Sequence, residues 1–290
     1  LFMHLVTGRK VPVFLGSSFA FLGGYAAVKA AGVALGYTES ISLVYACVGV
    51  ACAGLLYLVL ALICKVYGSK NVMKFFPPVV TGPIIIAIGL NLAPSAINNC
   101  TTNWIVALVA IAVVEKVAGA AWFGLPFKMQ DTVFGLLFSG NVNWTFLLSS
   151  IITIVPIAFA TMMEHVGDIS AIGGTVGKNF IEDPGLHRTL IGDGVGTAIA
   201  SLFGAPANTT YGENTGVLAL TKVYDPFVIR LAAVYAIVLS FCPKFAALIE
   251  AMPSATIGGV SIILYGMISA IGIRNVVENK TNFQDSRNVI

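Results

Sequence analysis

The sequence predicts an all-α polytopic membrane protein, on three observations. Of 290 residues, 57% are hydrophobic and only 10% charged, where a soluble domain carries about 25% charged residues. Apolar runs recur at about 20 residues, the length of a bilayer crossing. Two apolar runs are interrupted by β-favouring residues, glycine and small polar groups, at residues 14–19 and 208–216, and non-helical backbone is tolerated at membrane depth only where it lines a cavity or is buried in protein.

Charge and cysteine usage exclude other classes. A net charge of +3 is too small to argue for a nucleic acid, and no aromatic-basic face supports one. The five cysteines, Cys47, Cys52, Cys64, Cys100 and Cys242, contain no CxxC pair and read as small buried hydrophobes. No metal and no cofactor is expected. No signal peptide is visible. The chain opens at Leu1 in mid-pattern and stops at Ile290 where another span is expected, so it reads as truncated at both ends.

In chain order, residues 1–6 read as the tail of a span, followed by Arg9 and Lys10. Residues 11–21 form the first candidate broken element, in which Ser17 and Ser18 either face a ligand or bond a helix carbonyl. Residues 41–63 are a full span. Phe75-Phe76-Pro77-Pro78 opens the next, through Ala93, because proline at a helix start removes an N–H that has no intrahelical partner. From Trp104 the apolar run is only ten residues before Glu115 and Lys116 interrupt it, so 105–125 is a marginal span. Residues 127–143 are irregular. Residues 146–163 form a clear span that runs into Glu164-His165-Val166-Gly167-Asp168, and 178–188 are a polar loop. A short apolar segment, 190–203, leads to the second break; 227–248 and 252–273 are the last spans. Pro77, Gly82 and Gly89 echo Pro253, Gly258 and Gly266, a faint internal repeat of the kind secondary transporters carry. Loops 8–10, 65–74, 178–188, 222 and 274–287 hold the Lys and Arg residues and are expected in the cytoplasm; loops 36–40, 94–103 and 251–255 hold none and are expected outside.

The most informative residues are carboxylates. Glu213 stands beside Asn214 between Gly212 and Gly216, in apolar flanks, where a charge costs roughly 2.5–3.5 kcal/mol on insertion scales. Thr209, Thr210 and Tyr211 favour extended chain, and 217–220 suit a helix, which predicts a short extended piece feeding a half-helix. In transporters such half-helix N-termini are aimed at the ligand. The competing reading is a plain helix start with Asn214 as its cap. Glu164 and Asp168 are i and i+4, so they share one face if the helix continues, with Cβ atoms about 5–6 Å apart. Two membrane-buried carboxylates this close cannot both ionise cheaply, which suits a proton carrier; the competing reading is a helix end at the cytoplasmic surface. His165 packs or caps, since no HExxH motif accompanies it.

Glu213-Asn214-Thr215-Gly216, four residues, then Thr221-Lys222 resembles the signature of the nucleobase–ascorbate transporter family, Gln/Glu/Pro-Asn-x-Gly-x4-Thr-Arg/Lys/Gly. The segments FLGSSFAF, FFPPVVTG, EHVG, EDPGLHR, TTYGENTG and SIILYGMISAIGIR stand in the order of the family's bacterial uracil-carrying branch. The resemblance implies two inverted repeats of seven spans. A core domain (11–70 and 144–248) would carry the substrate, beside an incomplete gate domain (75–130 and 253–280), and each of two broken elements would contain a short β-strand. It implies proton-coupled symport of uracil, or a related nucleobase, across a bacterial cytoplasmic membrane, with no enzymatic activity and with a homodimer through the gate domain left open.

On that reading Glu164 and Glu213 accept the ring N–H groups, since charge-assisted hydrogen bonds are the strong ones. Backbone N–H groups at Phe19 and Gly212, freed by the breaks, donate to the ring carbonyls. Ser18 lies in the pocket, and Tyr211 and Tyr265 either close it or pack. Glu164 and Asp168 couple the proton, and Asn214 and Thr221 support the break. Glu at 213, where purine-selective relatives more often have Gln, favours a pyrimidine.

One departure counts against completeness. A loop outside at 94–103 and one inside at 178–188 require an odd number of crossings between them, yet the sequence offers two, near 105–125 and 146–166. One gate helix is therefore expected to be missing between Val114 and Ala121. The alternatives are a non-transporting remnant, a xanthine permease, an anion transporter of the same architecture, which would need a basic residue at the breaks, and a membrane enzyme, for which no nucleophile or metal set can be assembled.

Overall fold

The computed structural model describes residues 1–100, 117–252 and 254–278. In chain order its elements are α1 (Phe2–Val6), β1 (Leu15–Ser17), a 3₁₀ turn (Phe19–Phe21), α2 (Leu22–Ala34), α3 (Glu39–Tyr67), α4 (Ser69–Val72), α5 (Pro78–Cys100), α6 (Val133–Phe138), α7 (Trp144–Ile154), α8 (Ile157–Val176), α9 (Leu186–Leu202), β2 (Asn208–Thr210), α10 (Glu213–Thr221), α11 (Pro226–Ser240), α12 (Pro243–Glu250) and α13 (Ser254–Glu278). Among the described residues, four stretches are long and apolar enough to cross a membrane: Glu39–Tyr67, Val79–Asn98, Trp144–Val176 and Ile257–Arg274.

Helix α3 is the trunk. Thr38 caps it, its hydroxyl accepting from Ile41 N at 3.3 Å, and Glu39 and Lys65 at its two ends complement the helix dipole. Gly68, at φ +82°, turns the chain away. Its 29 residues span about 44 Å at 1.5 Å each, more than the roughly 30 Å of hydrocarbon, so the helix must tilt. It packs against α2, α7 and α9 through Tyr45, Val50, Tyr57, Ile154, Leu186 and Leu190. The α3–α9 crossing depends on the absence of side chains. A Cβ at Gly54 would stand 2.5 Å from the Gly194 carbonyl oxygen, and one at Gly194 would stand 2.6 Å from that of Gly54. Small residues at such points let membrane helices approach closely.

A second cluster joins α5 to α13 through Ile85, Leu92, Ala96, Tyr265 and Ile268. Gly82 and Gly89 lie at this crossing, but their counterpart is Gly272, whose added Cβ would meet the Gly82 oxygen at 2.5 Å, while Gly266 faces open space. The sequence echo of Gly89 in Gly266 is therefore not an echo of role.

The two breaks meet. β1 and β2 pair antiparallel with Leu15 opposite Thr210, Gly16 opposite Thr209 and Ser17 opposite Asn208. Two further bonds prolong the ladder, Tyr211 N to Phe14 O at 2.9 Å and Ser18 N to Ala207 O at 2.7 Å. The extended stretches are shorter than the 14–19 and 208–213 expected, because Phe19 already belongs to the 3₁₀ turn and Gly212 has helical torsions.

Three other expectations need correction. The run 227–248 is not one straight helix: α11 and α12 meet at 93°, since Pro243 cannot donate to the preceding turn and forces Cys242 extended, at φ −109° and ψ 94°. Residues 178–188 are a loop only as far as Gly185, with Asp183 extended at φ −133° and ψ 114°, and α9 begins at Leu186. Of the cysteines, Cys47 and Cys64 are buried, but Cys52 and Cys242 are only partly so. The expectation for 105–125 lies largely outside the described residues. In its described part Trp122, Phe123 and Leu125 are 77%, 80% and 74% exposed. Three of the basic loops share one end of the molecule, where Lys70 pairs with Glu182 at 2.6 Å and Lys10 with Asp183.

Overpacking a close crossing costs typically 1–3 kcal/mol. Gly194→Val is therefore expected to lower the thermal unfolding midpoint in detergent by several degrees, whereas Gly23→Ala, whose Cβ would meet nothing within 4 Å, leaves it unchanged or higher. Equal midpoints for both variants would show that the crossing is not tight.

Candidate functional site

Helix α8 supplies the carboxylates. It starts after Pro156 and runs to Val176, where Gly177 closes it in the left-handed conformation. Because the helix continues two turns past Asp168, Glu164 and Asp168 lie mid-helix on one face and both are buried. They are not the solvated end of a span. Glu164 Oε2 accepts from Thr209 Oγ1 of β2 at 3.4 Å. Asp168 lies against the second break, where a Cβ at Gly212 would stand 2.7 Å from Asp168 Oδ1. A side chain at Gly212 would crowd that carboxylate and the Ile271 methyl.

Gly212 is the N-cap of α10, so Asn214 is not the cap; it lies in the first turn, its N–H bonded to Tyr211 O at 3.2 Å. Glu213 is the first residue of α10, and its side chain lies outside the described residues. Thr221 stands at the far end of this helix, its hydroxyl donating to Val217 O at 2.8 Å and accepting from Val223 N. It ends the half-helix and does not reach the carboxylates.

At the first break Ser18 is buried. Its hydroxyl has no hydrogen-bond partner among the described residues, so it does not bond a helix carbonyl. Phe19 opens the 3₁₀ turn and meets Tyr265 of α13 edge to face, with centroids 5.2 Å apart; these rings join the carboxylate side to the α5–α13 pair. Tyr211 turns the other way. Its ring lies across Gly16 and its hydroxyl donates to Ser17 O at 3.2 Å, which ties the two strands together.

A cavity of about 200 Å³ lies between α8, α10 and α13, lined by Ala171, Gly212, Thr215, Gly216, Met267 and Ile271, with Arg274 also on its wall. The Thr215 hydroxyl is buried and has no hydrogen-bond partner among the described residues. Behind the carboxylates, His165 is bonded to Asp193, Thr189 and Thr210. Sequence reading did not single out Asp193, Thr189, Thr209 or Thr215. Asp193 carried a signal, a carboxylate between two glycines in an apolar segment, which intramembrane charges make worth asking about.

An apolar bundle that crosses a membrane several times, with two paired breaks and carboxylates buried beside them, defines a multi-pass membrane transport protein. The family model described as Permease family matches residues 1–134 and 102–290, and the chain belongs to this permease family. A probable uracil permease of Pasteurella multocida is 36% identical over 320 residues, covering 100% of this chain and 75% of that protein. The uracil permease of Bacillus subtilis is 37% identical over 327 residues, covering 99% and 73%, and that of Escherichia coli 34% identical over 327 residues, covering 100% and 73%. These relatives are permeases and not enzymes, as the sequence led us to expect.

The Gly16–Tyr211 contact can be isolated. A Cβ at Gly16 would stand 2.2 Å from the Tyr211 ring, so Gly16→Ala is expected to destabilise the parent chain and to be nearly neutral in a Tyr211→Ala background. The thermal unfolding cycle should give a coupling of roughly 0.5–3 kcal/mol; additive effects would mean that the ring does not rest on Gly16.

Proposed function

We propose that this chain is the substrate-bearing part of a proton-coupled uracil symporter of a bacterial cytoplasmic membrane. The observation that carries the reading is the pair Glu164 and Asp168, one helical turn apart and buried, with Asp168 against Gly212 at the N-terminus of the half-helix α10. Uracil presents two N–H donors and two carbonyl acceptors on a flat ring. Glu164 and Glu213 accept the N–H groups, and the first-turn N–H groups at Phe19 and Gly212 donate to the carbonyls. The buried hydroxyl of Ser18 offers a further polar contact, and Tyr265 with Phe19 closes the pocket. Asn214 and Thr221 shape the half-helix that presents these groups, and Tyr211 holds the strand pair. Glu164 and Asp168 share the coupled proton, since two adjacent carboxylates out of water cannot both stay charged cheaply. The names of the relatives support uracil, and Glu at 213 favours a pyrimidine over xanthine. On an anion-carrier reading a basic side chain would sit on a break. Arg274 lies on the cavity wall from α13, and residues 14–21 and 208–216 contain no Lys or Arg.

In this reading α3 and its neighbours form the core and the α5–α13 pair part of the gate, through which two copies could also associate. A specific observation favours a second reading for this polypeptide, a binding remnant with a shortened gate. The alignment to the Pasteurella multocida protein spans 320 positions against 290 residues here, which leaves at least 30 positions without a counterpart. The two family matches also both claim residues 102–134.

Purified protein is expected to bind radiolabelled uracil. Glu213→Gln keeps the shape and loses a charge-assisted hydrogen bond worth about 1.5–3 kcal/mol, so binding should weaken roughly 10- to 150-fold. Asp168→Asn should spare much of the binding and flatten the pH dependence of uptake in vesicles. Normal binding in the first variant together with an unchanged pH profile in the second would sink the role assignment. Topology reporters at Asn98 and Lys178 separate the two readings: opposite sides mean an odd number of crossings and a complete gate, the same side a remnant.

A further inference from the structure

His165 follows Glu164 on α8, and successive residues point about 100° apart around a helix. His165 therefore turns away from the carboxylate face, toward α9 and β2. It is 0% exposed, as are Asp193, Thr189 and Thr210. Nδ1 lies 2.8 Å from Asp193 Oδ2 and 2.9 Å from Thr210 Oγ1, and Nε2 lies 3.0 Å from Thr189 Oγ1. A hydroxyl has one hydrogen to give. The Thr189 hydroxyl gives it to Leu186 O at 2.9 Å, which leaves its oxygen to accept from the Nε2–H of His165. On the other side of the ring, Nδ1 gives its one hydrogen to Asp193 Oδ2 and Thr210 Oγ1 together, the threonine oxygen accepting. With these roles every contact of the ring is used, and histidine and aspartate together carry no net charge. A net buried charge beside two further carboxylates would be far costlier. The edge of Tyr57, with centroids 6.4 Å apart, seals the ring from the side, and the Tyr57 hydroxyl donates to Thr161 at 2.7 Å.

Thr210 is the last residue of β2, two positions before Gly212. Thr209, its neighbour, reaches Glu164. We infer that His165 is a positioning residue: paired with Asp193, it fixes the Thr210 hydroxyl and so the height of β2 and Gly212 relative to Glu164 and Asp168. It does not touch substrate. Fixing a break this way is an economy of three-residue strands, whose own ladder is too short to hold a register firmly.

Its transport readout rests on the nucleobase reading above; its exchange readout does not. Thr210→Val removes only the hydroxyl, and Thr210→Ser keeps it. In Thr210→Val, hydrogen exchange of the amides at 209–212, read by mass spectrometry without ligand, is expected to rise roughly 3- to 10-fold, the effect of one lost buried hydrogen bond. The KM for uracil uptake should rise by a similar factor while the maximal rate holds, and Thr210→Ser should restore both. His165→Phe, which removes both ring nitrogens, should lose binding. Parent-like exchange in Thr210→Val, or no rescue by serine, overturns the inference. If the parent chain takes up no uracil, the nucleobase reading falls and the exchange comparison alone decides this one.

Discussion

In a bilayer every backbone N–H and C=O must find a partner inside the protein. A chain that breaks two helices at depth has to solve that problem twice, and this one solves both at once. β1 and β2 satisfy each other, and the bonds Tyr211 N to Phe14 O and Ser18 N to Ala207 O carry the pairing past the strand ends. Two more groups are taken up from the flanks: Tyr25 accepts from Ala207 N and Thr197 donates to Asn208 O. β2 packs on α8 and α9, and α3 and α9 approach closely because Gly54 and Gly194 stand at their crossing.

The same enclosure governs charge. Glu164, Asp168 and Asp193 lie out of water in a small volume, so their charge has to be offset by protons, hydrogen bonds or a ligand. Asp193 is offset by His165. Glu164 meets a threonine hydroxyl, and Asp168 faces the N-terminal end of α10, where the helix dipole favours negative charge. The arrangement divides the labour. One buried carboxylate is bonded to a histidine, while the two nearer the break meet a threonine hydroxyl and a helix N-terminus.

What the sequence made legible follows from rarity. Carboxylates in apolar runs are few, so Glu164, Asp168 and Glu213 stood out, and two β-favouring interruptions were enough to predict a short extended piece at each break. The i, i+4 spacing was enough to place two carboxylates on one face. Register was not legible, because nothing in 14–19 or 208–213 says that Gly16 rather than a neighbour must lie under Tyr211. Nor was the turn at Cys242, since a proline inside an apolar run is compatible with a kinked span until packing decides. His165 looked like a packing residue because its partners, Thr189, Asp193 and Thr210, come from segments up to 45 residues away. Tyr211 read either as a pocket wall or as packing, and its ring rests on the opposite strand, where Gly16 has no Cβ.

The strand pairing also sets an order of assembly. Tyr211 and Ser17, which its hydroxyl joins, are 194 residues apart in the chain. At synthesis rates of roughly 5–20 residues per second, β1 exists for on the order of 10–40 seconds before β2 has been made. Through that interval the amides of 15–17 have no strand to meet, so the first break cannot settle into hydrocarbon and must wait where water or the insertion machinery can satisfy it. The polar interior of this protein is therefore the last part to leave water, and the helices around it are placed in the membrane before the element they enclose is complete.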